Sequence, residues 1–337
     1  MGNSWFLGCW QDKHRRVGDG ALVVTVVDDK IEKVVTIVFG GFESIHLGHR
    51  RLLSHVSGVN DGGVLTFEPL PKEALGYSES RVLTDDERLC AFESMGINQI
   101  IKLPFEKIKD LEPETFLSRY LEDVQTIVVG ENFRFGRNAV GDISLLKQWC
   151  QLNRKNLIVE PLVSVDGEIV STKAIKNYIH HGNMERAMKL LGYPYFIRGP
   201  RVHGNRIGSK IGVPTVNLHW SKQKTRPPYG VYDGFLLSNQ WSGPALASFG
   251  KAPTFDRKDV LLEIYVPGID LNIGAGEIVL YGFHRFVREE KKFPDATSLV
   301  QQIREDENDL AKDAPLIEAE MNQLLLLFSR ACLLPSR

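Results

Sequence analysis

Two histidines three residues apart, His46 and His49, sit in GGFESIHLGHRRLL, residues 40–53, directly after the β-branched run VVTIVF that begins at Val34. The spacing favours a common face, and the glycines allow tight backbone turning. If a helix begins near Gly48, both imidazoles and the N–H groups of its first turn converge on a phosphate, where the helix dipole favours negative charge. Gly40, Phe42 and Gly48 then line the phosphate pocket, with ATP as its guest. Moving an AMP group needs no covalent enzyme intermediate; it needs charge stabilisation on the α-phosphate and a positioned attacking phosphate. Taken alone, an H-x-x-H pair equally suits packed or surface histidines, and the strand and glycines around it are what favour phosphate.

A second cluster is HGNRIGSKIGVPTVN, residues 203–217. Gly204, Gly208 and Gly212, with Lys210 among them, permit a loop that folds closely around phosphate and offers backbone N–H donors. Thr215 and Asn217, two apart on a strand, point to the same side, and their oxygens are hard ligands suited to magnesium bridging ATP phosphates. A glycine-rich hairpin that merely turns has the same composition. Downstream, Glu263 interrupts the apolar strand LLEIYV. A charged side chain facing inward there is costly without a task, whereas an outward-facing strand glutamate needs none. The charge run REEKKF, from Arg288 to Phe293, is by itself a solvated face.

These residues need two kinds of scaffold. In the first half, VVTIVF, GVLTF from Gly63, QIIKL from Gln99 and TIVVG from Thr126 alternate with amphipathic stretches, which predicts a parallel sheet covered by helices. One helix starts after Thr84, three residues before Glu87 as in a capping box, and closes at Gly96. Another starts at Pro113 and presents Phe116, Leu117, Tyr120 and Leu121 on one face. Asn183 caps NMERAMKLL, Gly192 ends it, and the pattern then changes. PTVNL from Pro214, GVYDGFLL from Gly230, ALASF from Ala245, LLEIYV from Leu261 and EIVLYGF from Glu277 follow without intervening helices, as in a small antiparallel barrel. A last helix, residues 297–327, with Leu299, Val300 and Ile303 on one stripe, packs outside it. The expected division is residues 1–32 unassigned, 33–185 an α/β nucleotide-binding domain, and 186–330 the barrel domain with its terminal helix.

At 337 residues the chain exceeds what one core usually supports, in line with two domains. Hydrophobic residues make up 43% and charged residues 25%, the balance of a globular protein rather than a disordered or membrane one. With 41 basic and 42 acidic residues, no global field draws it to nucleic acid or anionic membrane. Cys9, Cys90, Cys150 and Cys332 form no C-x-x-C pair, which argues against zinc and a secreted disulfide framework and for a reducing, cytoplasmic setting. The opening MGNSWFLGCW is too short to span a bilayer, and Phe6 stands where a myristoylation signal wants Ser or Thr. Oligomeric state is left open.

The clusters resemble a known family. GGFESIHLGH is similar to the G-x-F-D-G-x-H-x-G-H signature of prokaryotic bifunctional riboflavin kinase/FAD synthetases, TFEPLP (66–71) to their T-F-E-P-H-P, and VVGENFRFGRNAVGD (128–142) to their V-V-G-x-D-F-x-F-G. The stretch from His203 resembles their H-G-x-x-x-G-x-x-I-G-x-P-T-A-N, followed in order by GVY, GKAPTF, LLEIYV and REEKKF. The departures are Glu43 and Ser44 for Asp-Gly, Leu70 for His, Asn132 for Asp, Val216 for Ala, and Ser248 and Ala252 within N-I-G-T-R-P-T-F. The resemblance implies riboflavin, FMN and ATP as substrates and magnesium as cofactor. It further implies ATP-phosphate contacts at Ser171, Thr172 and Lys176, which align with an S-S-T-x-x-R segment, flavin contacts at Asn132, Arg288 and Phe293, and Glu263 as general base. A riboflavin kinase with a structural or regulatory first domain, and a flavin-binding module without turnover, remain as other readings.

Overall fold

A computed structural model describes residues 14–17, 22–26, 31, 34–74, 76, 80–204, 212–251 and 260–334. By internal contacts the chain forms two compact units, one of Met1–Glu79 with Ala91–Ile169, the other of Ser80–Cys90 with Val170–Arg337.

The first unit is an α/β layer structure. Its strands are β1 (His14–Val17), β2 (Leu22–Val26), β3 (Thr36–Phe39), β4 (Gly62–Glu68), β5 (Gln99–Pro104), β6 (Thr126–Gly130) and β7 (Asn156–Glu160). They form one sheet in the order β1-β2-β5-β4-β3-β6-β7, parallel except for the edge pair β1–β2. The four strands expected here from β-branched runs are present; β1, β2 and β7 add to them, so part of the stretch left unassigned, residues 1–32, lies in the sheet. Helix α1 (Leu47–Leu53) follows β3, and α2 (Pro71–Ala74) follows β4. Helix α3 (Asp85–Ser94), of which residues 85–90 are counted in the other unit, starts with the expected capping box: the Thr84 N–H donates to Glu87 Oε2 at 2.8 Å and the Glu87 N–H to Thr84 Oγ1 at 3.4 Å. After α4 (Phe105–Ile108), α5 (Pro113–Leu121) buries Phe116, Leu117, Tyr120 and Leu121 against Ile37, Phe39, Leu65 and Ile127 of the sheet. Helix α6 (Ile143–Leu152) adds Leu146 and Cys150 to the same core.

A two-stranded ribbon, β8 (Ser164–Val165) and β9 (Glu168–Ile169), precedes α7 (Thr172–His180) and α8 (Met184–Leu191). Asn183 caps α8 by accepting the Arg186 N–H at 3.0 Å, and Gly192, at φ 77°, ends it. The second unit is built on a closed antiparallel barrel in the order β10-β11-β14-β13-β12-β15. Its strands are β10 (Phe196–Val202), β11 (Thr215–His219), β12 (Gly230–Leu237), β13 (Ser242–Lys251), β14 (Val260–Tyr265) and β15 (Ile278–Arg288). Of these six barrel strands, sequence reading missed β10, whose FIRGPRV breaks its apolar run with Gly and Pro. Segment 80–90 is held in this unit by Glu87, whose Oε2 accepts from Lys224 Nζ at 2.8 Å with both side chains buried. Lys224 also donates to Val82 O at 2.7 Å and lies 5.0 and 4.9 Å from the Tyr195 and Phe196 ring centroids, so its charge is fully partnered.

Helix α9 (Ala296–Leu327) packs on the barrel, and α10 (Arg330–Leu333) follows. The seam differs from expectation. Leu299, Val300 and Ile303 are only half-buried, while the fully covered positions include the charged Asp306 and Glu320 beside Leu310, Ile317 and Leu324. Strand β15 supplies the reason: Glu320 Oε1 lies 2.9 Å from His284 Nδ1, and Asp306 accepts from the Arg288 guanidinium at 2.8–3.1 Å. Cys90 and Cys332, 242 residues apart, are joined as a disulfide with Cα atoms 5.6 Å apart. The sequence reading, which argued against a secreted disulfide framework, did not foresee this pair, since spacing along the chain carries no information about such a contact.

Candidate active sites

In an open parallel sheet, ligands bind beyond the carboxyl ends of strands at the point where the strand order reverses. Here that point lies between β3, which pairs with β4 on one side, and β6 on its other side. Gly40 and Gly41 leave β3 there, and a Cβ on Gly40 would stand 2.9 Å from the Phe42 ring, so glycine is what lets that ring fold back. Phe42 and Ile45 both hold positive φ, 49° and 43°, and turn the chain into α1. Asn132 follows β6 at the same reversal, its Oδ1 against Gly130. Thr66 Oγ1 donates to Gly41 O at 3.4 Å and ties the TFEPLP segment to the glycine loop.

His46 is the N-cap of α1: its Nδ1 accepts the His49 N–H at 3.1 Å. An imidazole replaces the usual Ser, Thr or Asp. One of the first-turn N–H groups expected to meet phosphate is therefore already taken, and the bond fixes the tautomer. With Nδ1 accepting, the proton of the neutral ring is on Nε2. The His49 ring stacks on it at 3.6 Å and 8°, with Phe42 edge-on at 5.3 Å, and a Cβ on Gly48 would crowd His46 Cε1 at 3.3 Å. His49 Nδ1 is buried without a hydrogen-bond partner. Burial lowers His46 to about 4, and burial together with the neighbouring His46 holds His49 well below the ordinary histidine range. Both rings are thus neutral at pH 7, a form in which an imidazole can meet an anion only through an N–H. Ser171 caps α7, accepting from the Ala174 N–H at 3.2 Å, and with Thr172 and Lys176 belongs to the second unit by contacts rather than to the body that holds His46.

The depressed His46 value has a measurable sign. Between pH 6.5 and about 4 the unfolded chain binds a proton that the folded ring refuses, so stability falls as pH drops through that window, by roughly 3 kcal/mol in all. Melting curves from pH 7 to 4 should show this fall, and His46→Asn should flatten it. An unchanged slope in the variant would place the titration elsewhere.

In the barrel, register does the assembling. Asn217 on β11 lies directly opposite Glu263 on β14, and Glu263 directly opposite Ser248 on β13. Their neighbours Leu218, Leu262 and Phe249 fill the interior, so Glu263 and Asn217 lie on the outer face, Glu263 half-buried and Asn217 3% exposed. This corrects the inward-facing reading of Glu263: the strand alternates, and loops cover its outer face instead. Gly204 supplies part of that cover, for a Cβ there would collide with the Asn217 amide. Gly212 holds φ 81°, and Gly208 and Lys210 lie outside the described residues.

Asn217 Nδ2 donates to Thr215 O and Oγ1, both at 3.4 Å, while its Oδ1 is buried without a hydrogen-bond partner. An orphaned carbonyl oxygen beside a threonine hydroxyl fits a hard divalent cation. The adjoining cleft, of about 260 Å³, is lined by Arg201, His203, Gly204, Thr215, Asn217 and Asp270, among others. Burial first, then the Glu290 charge, raise Glu263 above the ordinary carboxylate range. Arg288 is held by the Asp306 fork and lies 5.9 Å from the centre of the Phe293 ring. Arg201, Asp270, Asp306 and Glu290 escaped sequence reading; Glu290 lay in a charge run that alone reads as solvated surface.

The riboflavin kinase family model (Flavokinase) matches residues 191–313 and the FAD synthetase family model residues 28–174. The bifunctional riboflavin kinase/FMN adenylyltransferase of Buchnera aphidicola (Schizaphis graminum) is 30% identical over 82% of this chain and 93% of its own. That of Listeria monocytogenes is 28% identical over 83% and 91%. A crystal structure described as a macrolide-efflux protein from Streptococcus pneumoniae aligns at TM-score 0.74 and 28% identity, covering 85% of this chain and 97% of that one. Transport is not carried over by that name; among the described residues no helix is long and apolar enough to cross a membrane. With both domains matched in order and 30% identity across nearly the whole of a relative, the chain belongs to the bifunctional riboflavin kinase/FMN adenylyltransferase family.

Proposed function

We propose that this protein makes flavin cofactors in two ATP-dependent steps, phosphorylating riboflavin to FMN at the barrel and adenylylating FMN to FAD at the α/β unit. The observation that carries the first step is the Asn217–Glu263 pair, a buried unpartnered oxygen and a half-buried carboxylate directly opposite each other on one barrel face. Thr215 and Asn217 would hold Mg²⁺, which when bound supplies charge neutralisation across the ATP phosphates. Glu263 accepts the proton of the terminal ribityl hydroxyl as that oxygen attacks the γ-phosphorus, the bond to the β–γ bridging oxygen breaks and ADP leaves; its raised pKa makes it a stronger base than an exposed carboxylate. Gly204 and Gly212 border the phosphate side, the family resemblance adds Gly208 and Lys210 as phosphate-binding residues, and Arg288 and Phe293 border the flavin.

For the second step, His46 and His49 offer neutral N–H donors to the polyphosphate at the helix α1 entrance, with Gly40, Phe42 and Gly48 shaping the loop and Asn132 at the flavin side. An FMN phosphate oxygen attacks the α-phosphorus and pyrophosphate leaves as the α–β bridging bond breaks, so the site has to stabilise the charge that grows on the α-phosphate and hold FMN in line, with no covalent enzyme intermediate. A cytoplasmic setting, where ATP is at hand for both steps, goes with this reading.

Separate assays of FMN and FAD from riboflavin and ATP test the reading. Both products are expected; FMN alone would leave a kinase with an inactive first unit, and neither would leave a binding module. Asn217→Ala should raise the magnesium concentration needed for half-maximal kinase rate and lower turnover. An unaltered magnesium dependence in the folded variant would remove Asn217 from the metal site.

A further inference from the structure

The outer face of the barrel carries a second carboxylate beside Glu263. Gly250 lies two residues beyond Ser248 on β13, and residues two apart on a strand present the same face. Since Ser248 is directly opposite Glu263, Gly250 opens onto the surface that bears Asn217 and Glu263. The space a side chain would take at Gly250 is filled by Glu290: an added Cβ would coincide with its carboxylate. A side chain at Gly250 would therefore have to displace the Glu290 carboxylate. Glu290 belongs to the segment after β15, which is anchored two residues earlier where Arg288 forks onto Asp306 of α9. The Glu290 carboxylate is one of the two influences that push Glu263 upward, as expected of two acids on one face. Glu290 itself keeps solvent access.

We infer that Glu290, seated over Gly250, is a substrate-specificity residue of the kinase site, accepting a hydrogen bond from a non-terminal hydroxyl of the ribityl chain while the terminal hydroxyl is presented to Glu263. The inference rests on the riboflavin kinase reading. One i to i+2 strand step, about 7 Å, separates Gly250 from the Ser248–Glu263–Asn217 row, a distance that a polyol of several carbons spans. A carboxylate is an acceptor only, and a polyol offers a donor at every carbon. A site that presents such an acceptor favours a substrate with the matching donor over one that lacks it, because the charge-assisted hydrogen bond is then lost.

The test uses the full-length protein with riboflavin and with riboflavin analogues that each lack one non-terminal ribityl hydroxyl. Wild type should discriminate against at least one analogue by about 10- to 100-fold in kcat/KM. Glu290→Ala should lose a similar factor on riboflavin and treat that analogue and riboflavin nearly alike. Gly250→Ala should reproduce this pattern, since its methyl group displaces the carboxylate. A merely structural role would lower all rates and leave the discrimination ratio unchanged. Melting curves, and adenylylation of supplied FMN, show that each variant is folded; if Gly250→Ala does not fold, the exposed Glu290→Ala decides alone. Full discrimination retained by Glu290→Ala, or none in wild type, overturns the proposal while leaving the kinase reading intact. No riboflavin phosphorylation by wild type overturns both.

Discussion

Glu263→Gln is expected to lower riboflavin phosphorylation by about 10²- to 10⁴-fold, the usual contribution of a positioned general base. The substitution keeps size and hydrogen-bonding shape and removes only the charge that accepts the proton. Folding should not suffer. Glu263 is half-buried and its ionised form is opposed by burial and by Glu290, so a neutral amide relieves an unfavourable charge. The melting temperature should therefore be equal to that of wild type or higher. Supplied FMN should still be adenylylated, because His46 and His49 lie in the other unit. Near-normal phosphorylation by a folded Glu263→Gln would eliminate Glu263 as the base and leave the hydroxyl merely oriented.

His46→Ala is expected to lower FAD formation from FMN and ATP by about 10²- to 10³-fold, comparable to removing one donor from a site that stabilises developing oxyanion charge. FMN formation should persist. The variant also removes the cap of α1, which costs about 1 kcal/mol of stability and by itself could loosen the loop. His46→Asn separates the two effects: asparagine caps a helix well but puts no Nε2–H at the phosphate. Its melting temperature should return toward wild type while FAD formation stays low. If adenylylation recovers with the cap, His46 serves only to start the helix.

The order of β-branched runs, the capping box at Thr84 and Glu87, and the Asn183 cap were legible because each depends on neighbours within four residues. So were the histidine pair and the glycine-rich segment before Thr215, whose chemistry is local. The face of Glu263 was not. An alternating strand presents one side to the barrel and one to its surroundings, and only closure of the barrel decides which. The seam of α9 was misread for a related reason: apolar periodicity marked Leu299 and Ile303, but the strand beneath presents Arg288 and His284, which call for Asp306 and Glu320.

Residue types and short spacings thus determined the family, the two-part architecture and most of the chemical groups, since these are written in local patterns of burial and turning. What only the tertiary structure decided is which distant groups meet. Asn217 faces Glu263 across a strand pair, Glu290 occupies the room left at Gly250, Lys224 captures Glu87 and with it a segment of the first half, and Cys90 reaches Cys332. Each of these contacts joins residues dozens to hundreds of positions apart. Their geometry is fixed by strand register and core packing, quantities that belong to the folded whole and leave no periodic trace along the chain.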